Sequence, residues 1–174
     1  EVMKDASFFG ATGGVTASGG EAALQAEFIA AFFRELKSRG VHTALDTSGL
    51  CPRESLETIL PYTDLVLYDI KEIDPVKHRA FTGADNKMIL ENLLFTGAYI
   101  RDRIPRRELW IRTPIIPGAT DRKDNTAAQT RESVSARGSF TRVSWLMFQD
   151  RPLLGFTHRG SAEADDVKQS EVGA

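Results

Sequence analysis

Asp46, Asp69, Lys71 and Arg112 are residues whose types and placement could do chemistry. Asp46 and Asp69 each close a short apolar run, and Arg112 lies near the end of a third. Lys71 is two residues beyond Asp69, on the same side of an extended chain. Two acids with two cations suit a zwitterion: the cations take a carboxylate, and the acids take an ammonium or a monovalent cation. A structural ion-pair network has the same signature, and residue types alone leave the two readings open.

The second constellation is Ser18-Gly19-Gly20-Glu21. Consecutive glycines let a ligand come close to the main chain. A helix starting behind them favours an anion, yet Glu21 puts a carboxylate at the entrance, which suits an ammonium better than a phosphate. The plainer reading of these four residues alone is a tight turn, with Ser18 capping the following helix and Glu21 completing a capping box.

Other candidates carry less. Gly10-Ala11-Thr12-Gly13-Gly14 lacks the Lys-Ser/Thr of a nucleotide loop and reads as a flexible entry to a strand. His42, His78 and His158 show no metal-ligand spacing, and no Ser/His/Asp or Cys/His arrangement can be assigned. The single cysteine, Cys51, excludes an internal disulfide and agrees with a reducing cytoplasm. Alone it cannot hold a zinc or iron–sulfur site, and it reads as a small loop residue before Pro52.

The elements that must position these residues alternate in type. Gly13 to Ala17 reads as a strand. Glu21 to Arg39 reads as a helix with an apolar face of Leu24, Phe28, Ile29, Phe32, Phe33 and Leu36, ended by Gly40. Val41 to Leu45 is a second strand, and Arg53 to Leu60 a helix stopped by Pro61. Leu65 to Tyr68 is continuously apolar, as in a strand buried on both faces of a parallel sheet. Helices are expected at about 75–81 and 87–99, then a strand from Leu109 to Thr113 closed by Pro114 and the Pro117-Gly118 turn. This alternation predicts an α/β fold with parallel strands. Ligands bind at the C-terminal strand ends of such folds, where Glu21, Asp46, Asp69 and Arg112 collect.

Beyond Asp124 the pattern weakens, with a helix expected over 126–138 and a last strand over 143–148. The division expected is a domain over 1–150 and a polar, disordered or atypical tail over 151–174. The 174 residues are 41% hydrophobic with a net charge of −2, enough for a core and no electrostatic invitation to nucleic acid or anionic lipid. Arg101, Arg103, Arg106 and Arg107 read as a solvated loop. No apolar run approaches the ~20 residues that cross a bilayer, and no signal peptide opens the chain. A cytoplasmic monomer without nucleic-acid or membrane partners is expected.

With these residues in place, a resemblance emerges. Val15-Thr16-Ala17-Ser18-Gly19-Gly20-Glu21-Ala22 followed by Leu24-Gln25 resembles the S-adenosylmethionine (SAM) segment of glycyl-radical-enzyme activating enzymes, the pyruvate formate-lyase activating enzyme family of the radical SAM superfamily. The likeness continues in order through Gly40-Val41-His42-Thr43, Asp46-Thr47-Ser48-Gly49, Asp64-Leu65-Val66 and Asp69-Ile70-Lys71. His78, Thr82-Gly83, Trp110-Ile111-Arg112-Thr113-Pro114 and Ile116-Pro117-Gly118 follow, so that it covers roughly Val2 to Asp124.

The resemblance implies an incomplete (β/α)6 barrel lacking the first strand and cluster loop. It implies that Gly19, Gly20 and Glu21 hold the SAM amino group. Asp69, Ile70 and Lys71 would contact SAM, with Lys71 and Arg112 at its carboxylate. Asp46, Thr47 and Asp69 fall where the family binds a monovalent cation. The implied reaction is anaerobic reductive cleavage of SAM at a 4Fe–4S cluster to a 5′-deoxyadenosyl radical, which takes hydrogen from a glycine of a partner enzyme. The implied electron donor is a flavodoxin or ferredoxin. No side chain is assigned as a catalytic acid or base.

The family's Cys-x3-Cys-x2-Cys loop is absent from the sequence. The expectation is therefore an N-terminally shortened chain, inactive by itself. Gln149 stands where the family has a His or Asn after the last strand. A non-catalytic SAM-binding or partner-docking module is the alternative.

Overall fold

The computed structural model describes residues 1–10, 13–104, 106–116, 120, 123–125, 141–147 and 159–161. The strands are β1 (Gly14–Ala17), β2 (His42–Thr47), β3 (Leu65–Asp69), β4 (Glu108–Ile115), β5 (Thr141–Met147) and β6 (Arg159–Ser161). They form one sheet in sequence order. Neighbours from β1 to β5 run parallel, and β6 pairs antiparallel to β5. The helices are α1 (Ala26–Ser38), α2 (Arg53–Ile59), α3 (Pro75–Thr82) and α4 (Lys87–Arg103). This is the α/β alternation read from the sequence, and parallel neighbours require a crossover between strands, as a helix supplies.

Local chemistry sets the boundaries. A 3-10 turn over Ala22–Gln25 precedes α1, so regular helix starts later than the periodicity suggests. Ser18 does not cap it: its hydroxyl donates to Asp46, while Glu21 is the cap and accepts from Ala23 N at 3.2 Å. Gly40, at φ 73°, takes the left-handed conformation expected after the helix. Pro61 sits inside a 3-10 turn over Leu60–Tyr62, where its missing N–H costs nothing. Asp74 caps α3 by accepting from Val76 N and Lys77 N, Pro75 fills the first turn, and Gly83 closes it at φ 83°. Pro114 does not end β4, which runs on to Ile115.

One core cluster joins α1, α2 and α4 to a single face of the sheet. Ile29, Phe33 and Leu36 of α1 and Leu56 and Ile59 of α2 meet Leu45, Val66 and Tyr68. The register aligns Leu45 with Val66 and Thr47 with Tyr68, so these point the same way. On β3 only Val66 and Tyr68 are buried, whereas Leu65, Leu67 and Asp69 are half-exposed. This corrects the expectation that β3 is buried on both faces. The helices cover one face, and the other is left partly open.

The apolar stripe read over 21–39 is likewise wider than the buried face, since Leu24 in the 3-10 turn and Phe28 in α1 are 63% and 64% exposed. The arginine cluster is no solvated loop. Arg101 and Arg103 end α4, and Arg107 pairs with the buried Asp64. Among the described residues no helix is long and apolar enough to cross a membrane. The helix expected over 126–138, the Pro117-Gly118 turn and Gln149 lie outside the described residues.

Candidate functional site

The sheet register builds the site. Asp69 stands opposite Arg112 in the β3–β4 ladder, and Asp46 pairs with Leu67, two residues before Asp69 along β3. Alternation along the strands puts these three side chains on the face away from the helices. Arg112 Nε donates to Asp69 Oδ1 at 2.8 Å, and its Nη2 reaches both Asp69 Oδ1 and Asp46 Oδ1. The side chains are 18% (Arg112), 24% (Asp46) and 29% (Asp69) exposed, sheltered yet open to solvent on one side. Two carboxylates against one guanidinium leave a local excess of negative charge. Burial pushes the Asp69 carboxyl above its ordinary value; Arg112 and Lys71 pull it down, and Asp46 pushes it up.

The glycine turn adjoins this cluster. Ser18 Oγ donates to Asp46 Oδ2 at 3.1 Å, fixing the start of the turn beside the acids. Gly19 and Gly20 follow at φ 98° and 56°, and a Cβ at either position would meet nothing within 4 Å. Backbone conformation demands glycine at both, and the space beside them is free for a ligand.

Glu21 is directed elsewhere. Oε1 accepts from Thr47 Oγ1 at 2.6 Å, and Oε2 accepts from Ser48 N at 2.9 Å and Ser48 Oγ at 2.7 Å. With the bond from Ala23 N, the carboxylate binds the loop after β2 to the loop after β1. Thr47 is buried, and its hydroxyl also accepts from Gly49 N at 2.9 Å. The structure therefore brings Asp46, Asp69 and Arg112 together but sends the Thr47 hydroxyl to Glu21, away from the acids. Gly49, at φ 75°, is obligatory, because a Cβ there would fall 1.6 Å from Tyr68 Oη.

Beyond β3, Ile70 is buried and its N–H donates to Arg112 O at 2.9 Å, extending the ladder. Lys71 follows as an exposed side chain beside Asp69. The loop it stands on is held by two buried residues that sequence reasoning missed, Asn86 and Asn125. Asn86 Nδ2 donates to Glu72 O at 2.9 Å and Ile73 O at 2.6 Å. Asn125 Oδ1 accepts from Ile73 N at 3.1 Å, and its Nδ2 donates to Thr120 O and Lys71 O. Neither had a sequence signal, because the partners are main-chain atoms distant along the chain.

Among the described residues no group of three or more His, Cys, Asp or Glu is arranged to hold a metal ion. Cys51 is buried, and burial with the neighbouring Glu21 charge pushes its thiol up to about 12. A buried thiol held protonated is a poor iron ligand. His78 is also structural: Nδ1 lies 2.9 Å from Ala84 O and 3.1 Å from Thr82 Oγ1, closing the end of α3.

Residues 1–129 match the family described as the radical SAM superfamily. The chain belongs to that superfamily. Within it, the chain is 35% identical over 175 residues to the pyruvate formate-lyase 1-activating enzyme of Escherichia coli K12, spanning 99% of this chain and 67% of the relative. It is 43% identical over 131 residues to the pyruvate formate-lyase-activating enzyme of Streptococcus mutans, spanning 72% of this chain and 48% of the relative. A solved domain of pyruvate-formate lyase-activating enzyme from Bacteroides vulgatus superposes with a TM-score of 0.62 at 28% identity, covering 70% of this chain and 72% of that one. Within the superfamily, the chain belongs to the family of the pyruvate formate-lyase activating enzyme. The chain spans about half the length of the Streptococcus relative.

Proposed function

We propose that this chain carries the SAM site of a glycyl-radical-enzyme activating enzyme. The observation that carries the reading is the bond from Ser18 Oγ to Asp46 Oδ2, which joins the open Gly19-Gly20 turn to the Asp46–Arg112–Asp69 cluster. A zwitterion fits there. Its ammonium meets the glycine turn and the acidic excess, and its carboxylate meets Arg112 and the exposed Lys71. Asp46 and Asp69 offer oxygens to a monovalent cation beside it, with Thr47 contributing main chain and not its hydroxyl. SAM has both charges on one methionyl end.

In such an enzyme a 4Fe–4S cluster, given an electron by a flavodoxin or ferredoxin, would supply the reductive cleavage of bound SAM by which hydrogen is taken from a glycine of the partner. The described residues do not fit the cluster, since the chain's single cysteine is buried and protonated. The chain alone therefore binds SAM without cleaving it. What its own residues do is orient the methionyl group.

Titration calorimetry with SAM tests this. Lys71→Ala and Asp46→Asn should each weaken binding, while an exposed change such as Glu35→Gln should not. Equal affinity in all four proteins overturns the site. Anaerobic reconstitution with iron and sulfide should yield no stable 4Fe–4S spectrum from these 174 residues, and SAM cleavage after such treatment would refute the division of labour.

A further inference from the structure

The exit of β3 is held to an unusual degree for a loop. Ile70 N is fixed on Arg112 O. The Lys71 and Glu72 carbonyls accept from Asn125 and Asn86, and the Ile73 carbonyl accepts from Asn86 as well. Ile73 N donates to Asn125 Oδ1 and to the Glu72 carboxylate, which also takes Asp74 N at 3.1 Å. Glu72, Asn86 and Asn125 are 1%, 2% and 2% exposed, so the side-chain ends of these bonds are buried, while the bonds at Lys71 and Ile73 are partly buried. Against this rigid backbone, Lys71 is an exposed side chain.

Asn125 is the member that joins separate elements. Its carboxamide bonds the loop after β3, through Ile73 N and Lys71 O, to the segment after β4, through Thr120 O. Thr120 is itself tied back to β4: its hydroxyl donates to Pro114 O and accepts from Ile116 N at 2.8 Å. Since β4 also carries Arg112, the buried amide, through its 3.4 Å bond to Lys71 O, adds to the ladder bond from Ile70 N to Arg112 O a second tie between the backbones that present the two cations.

We infer that Asn125 is a positioning residue for substrate-carboxylate recognition, acting through the backbone of Lys71. The inference rests on the SAM reading above and goes beyond it by assigning recognition of one half of the ligand to a residue that does not touch it. Losing the amide releases the Lys71 carbonyl while the Asn86 and Glu72 bonds remain, so Lys71 alone must be re-ordered on binding, at about tenfold in affinity.

The test compares the full chain with its Lys71→Ala, Asn125→Ala, Asn125→Asp and Lys71→Ala/Asn125→Ala variants. Each is titrated with SAM and with decarboxylated SAM, which keeps the sulfonium, adenosine and amine but has no carboxylate. Asn125→Ala should lose about tenfold for SAM and nothing for the decarboxylated analogue. Asn125→Asp turns a carboxylate towards two carbonyl oxygens and the Glu72 carboxylate, so it should lose at least as much SAM affinity as Asn125→Ala, again with nothing lost for the decarboxylated analogue. The double variant should bind SAM no more weakly than Lys71→Ala, because two changes acting through one contact are not additive.

Equal losses for both ligands would show a merely structural amide and overturn the inference, and a misfolded variant would give that result. Additive losses, or a Lys71→Ala effect without an Asn125→Ala effect, would overturn it too. Failure of the SAM reading looks different: Lys71→Ala would then leave SAM affinity unchanged in an otherwise native protein.

Discussion

Arg112 stands opposite Asp69 in the β3–β4 ladder and donates from Nε to Oδ1 at 2.8 Å, while its Nη2 reaches over to Asp46 on β2. One guanidinium thus spans three strands and leaves two carboxylates partly neutralised. Burial and the Asp46 charge both oppose ionisation of Asp69, and Arg112 and Lys71 only partly offset them. A site that holds charge against its own stability is poised for a ligand. Asp69→Asn relieves that charge in an isosteric side chain, so its thermal midpoint at pH 7 should not fall below the wild type. SAM affinity should drop by about tenfold or more, as for loss of a charge-assisted hydrogen bond. Calorimetry and thermal unfolding on the same preparations check the pair of outcomes. A large fall in midpoint would show that the cluster is a stabilising ion-pair network instead.

Glu21 makes a contrasting prediction. Its two oxygens accept from Ala23 N, Thr47 Oγ1, Ser48 N and Ser48 Oγ, all donors. Glu21→Gln replaces one oxygen with an NH2, which must face a donor whichever way the amide turns. The expected cost is about 1–3 kcal/mol in urea unfolding, the penalty for a polar group left unmatched. Limited proteolysis should move early cleavage into the loop at Ser48–Leu50. Unchanged stability would mean that the carboxylate is not the tie between the two loops.

The strand and helix order was legible because apolar period, Asp74-Pro75 and Gly40 each state a local preference that the fold obeys. Asp46, Asp69 and Arg112 were legible as a group because each lies at or near the end of its own apolar run and a parallel sheet brings those ends together. What could not be read was direction. Glu21 and Thr47 carry the same residue types whether they face a ligand or each other, and only the register, which aligns Thr47 with Tyr68 on the helix side, separates the cases. Ser18 was misread as a helix cap because the capping-box pattern is local, whereas its partner Asp46 lies on another strand. Asn86 and Asn125 left no trace, since amides that bind distant main chain have no spacing rule.

His42 lies at the start of β2 among cations. Burial lowers its basicity first, Lys37 and Arg107 lower it further, and Glu108 acts the other way. A histidine with its folded-state value depressed gives up stability on protonation. That contribution is present above the unfolded value of about 6.5 and is lost as pH falls through the lower folded value. The thermal midpoint should therefore decline as pH falls below about 6.5. His42→Gln should flatten that part of the profile while leaving the midpoint at pH 7.5 nearly unchanged. An identical slope in the two proteins would assign the pH dependence to other groups.

Asp64 anchors the same end of the sheet. Its carboxylate takes Lys37 Nζ at 2.6 and 2.8 Å, Thr43 N at 3.0 Å, Thr43 Oγ1 at 3.2 Å and the guanidinium of Arg107. The acid is 8% exposed, and its partners Lys37 and Arg107 are 31% and 27% exposed. Burial already disfavours charge on both cations, and each repels the other's neighbourhood once the acid is gone. Asp64→Ala leaves two half-buried positive charges and an unpaired Thr43 N–H, so it should cost about 3–5 kcal/mol. Asp64→Asn keeps an acceptor for Thr43 N and should cost less. Because the pairing is sheltered, raising salt to 0.5 M should not recover the loss, as it would for an exposed pair such as Arg39–Glu35. Urea unfolding of both variants at low and high salt measures this, and a loss below 1 kcal/mol in Asp64→Ala would show that the network is dispensable.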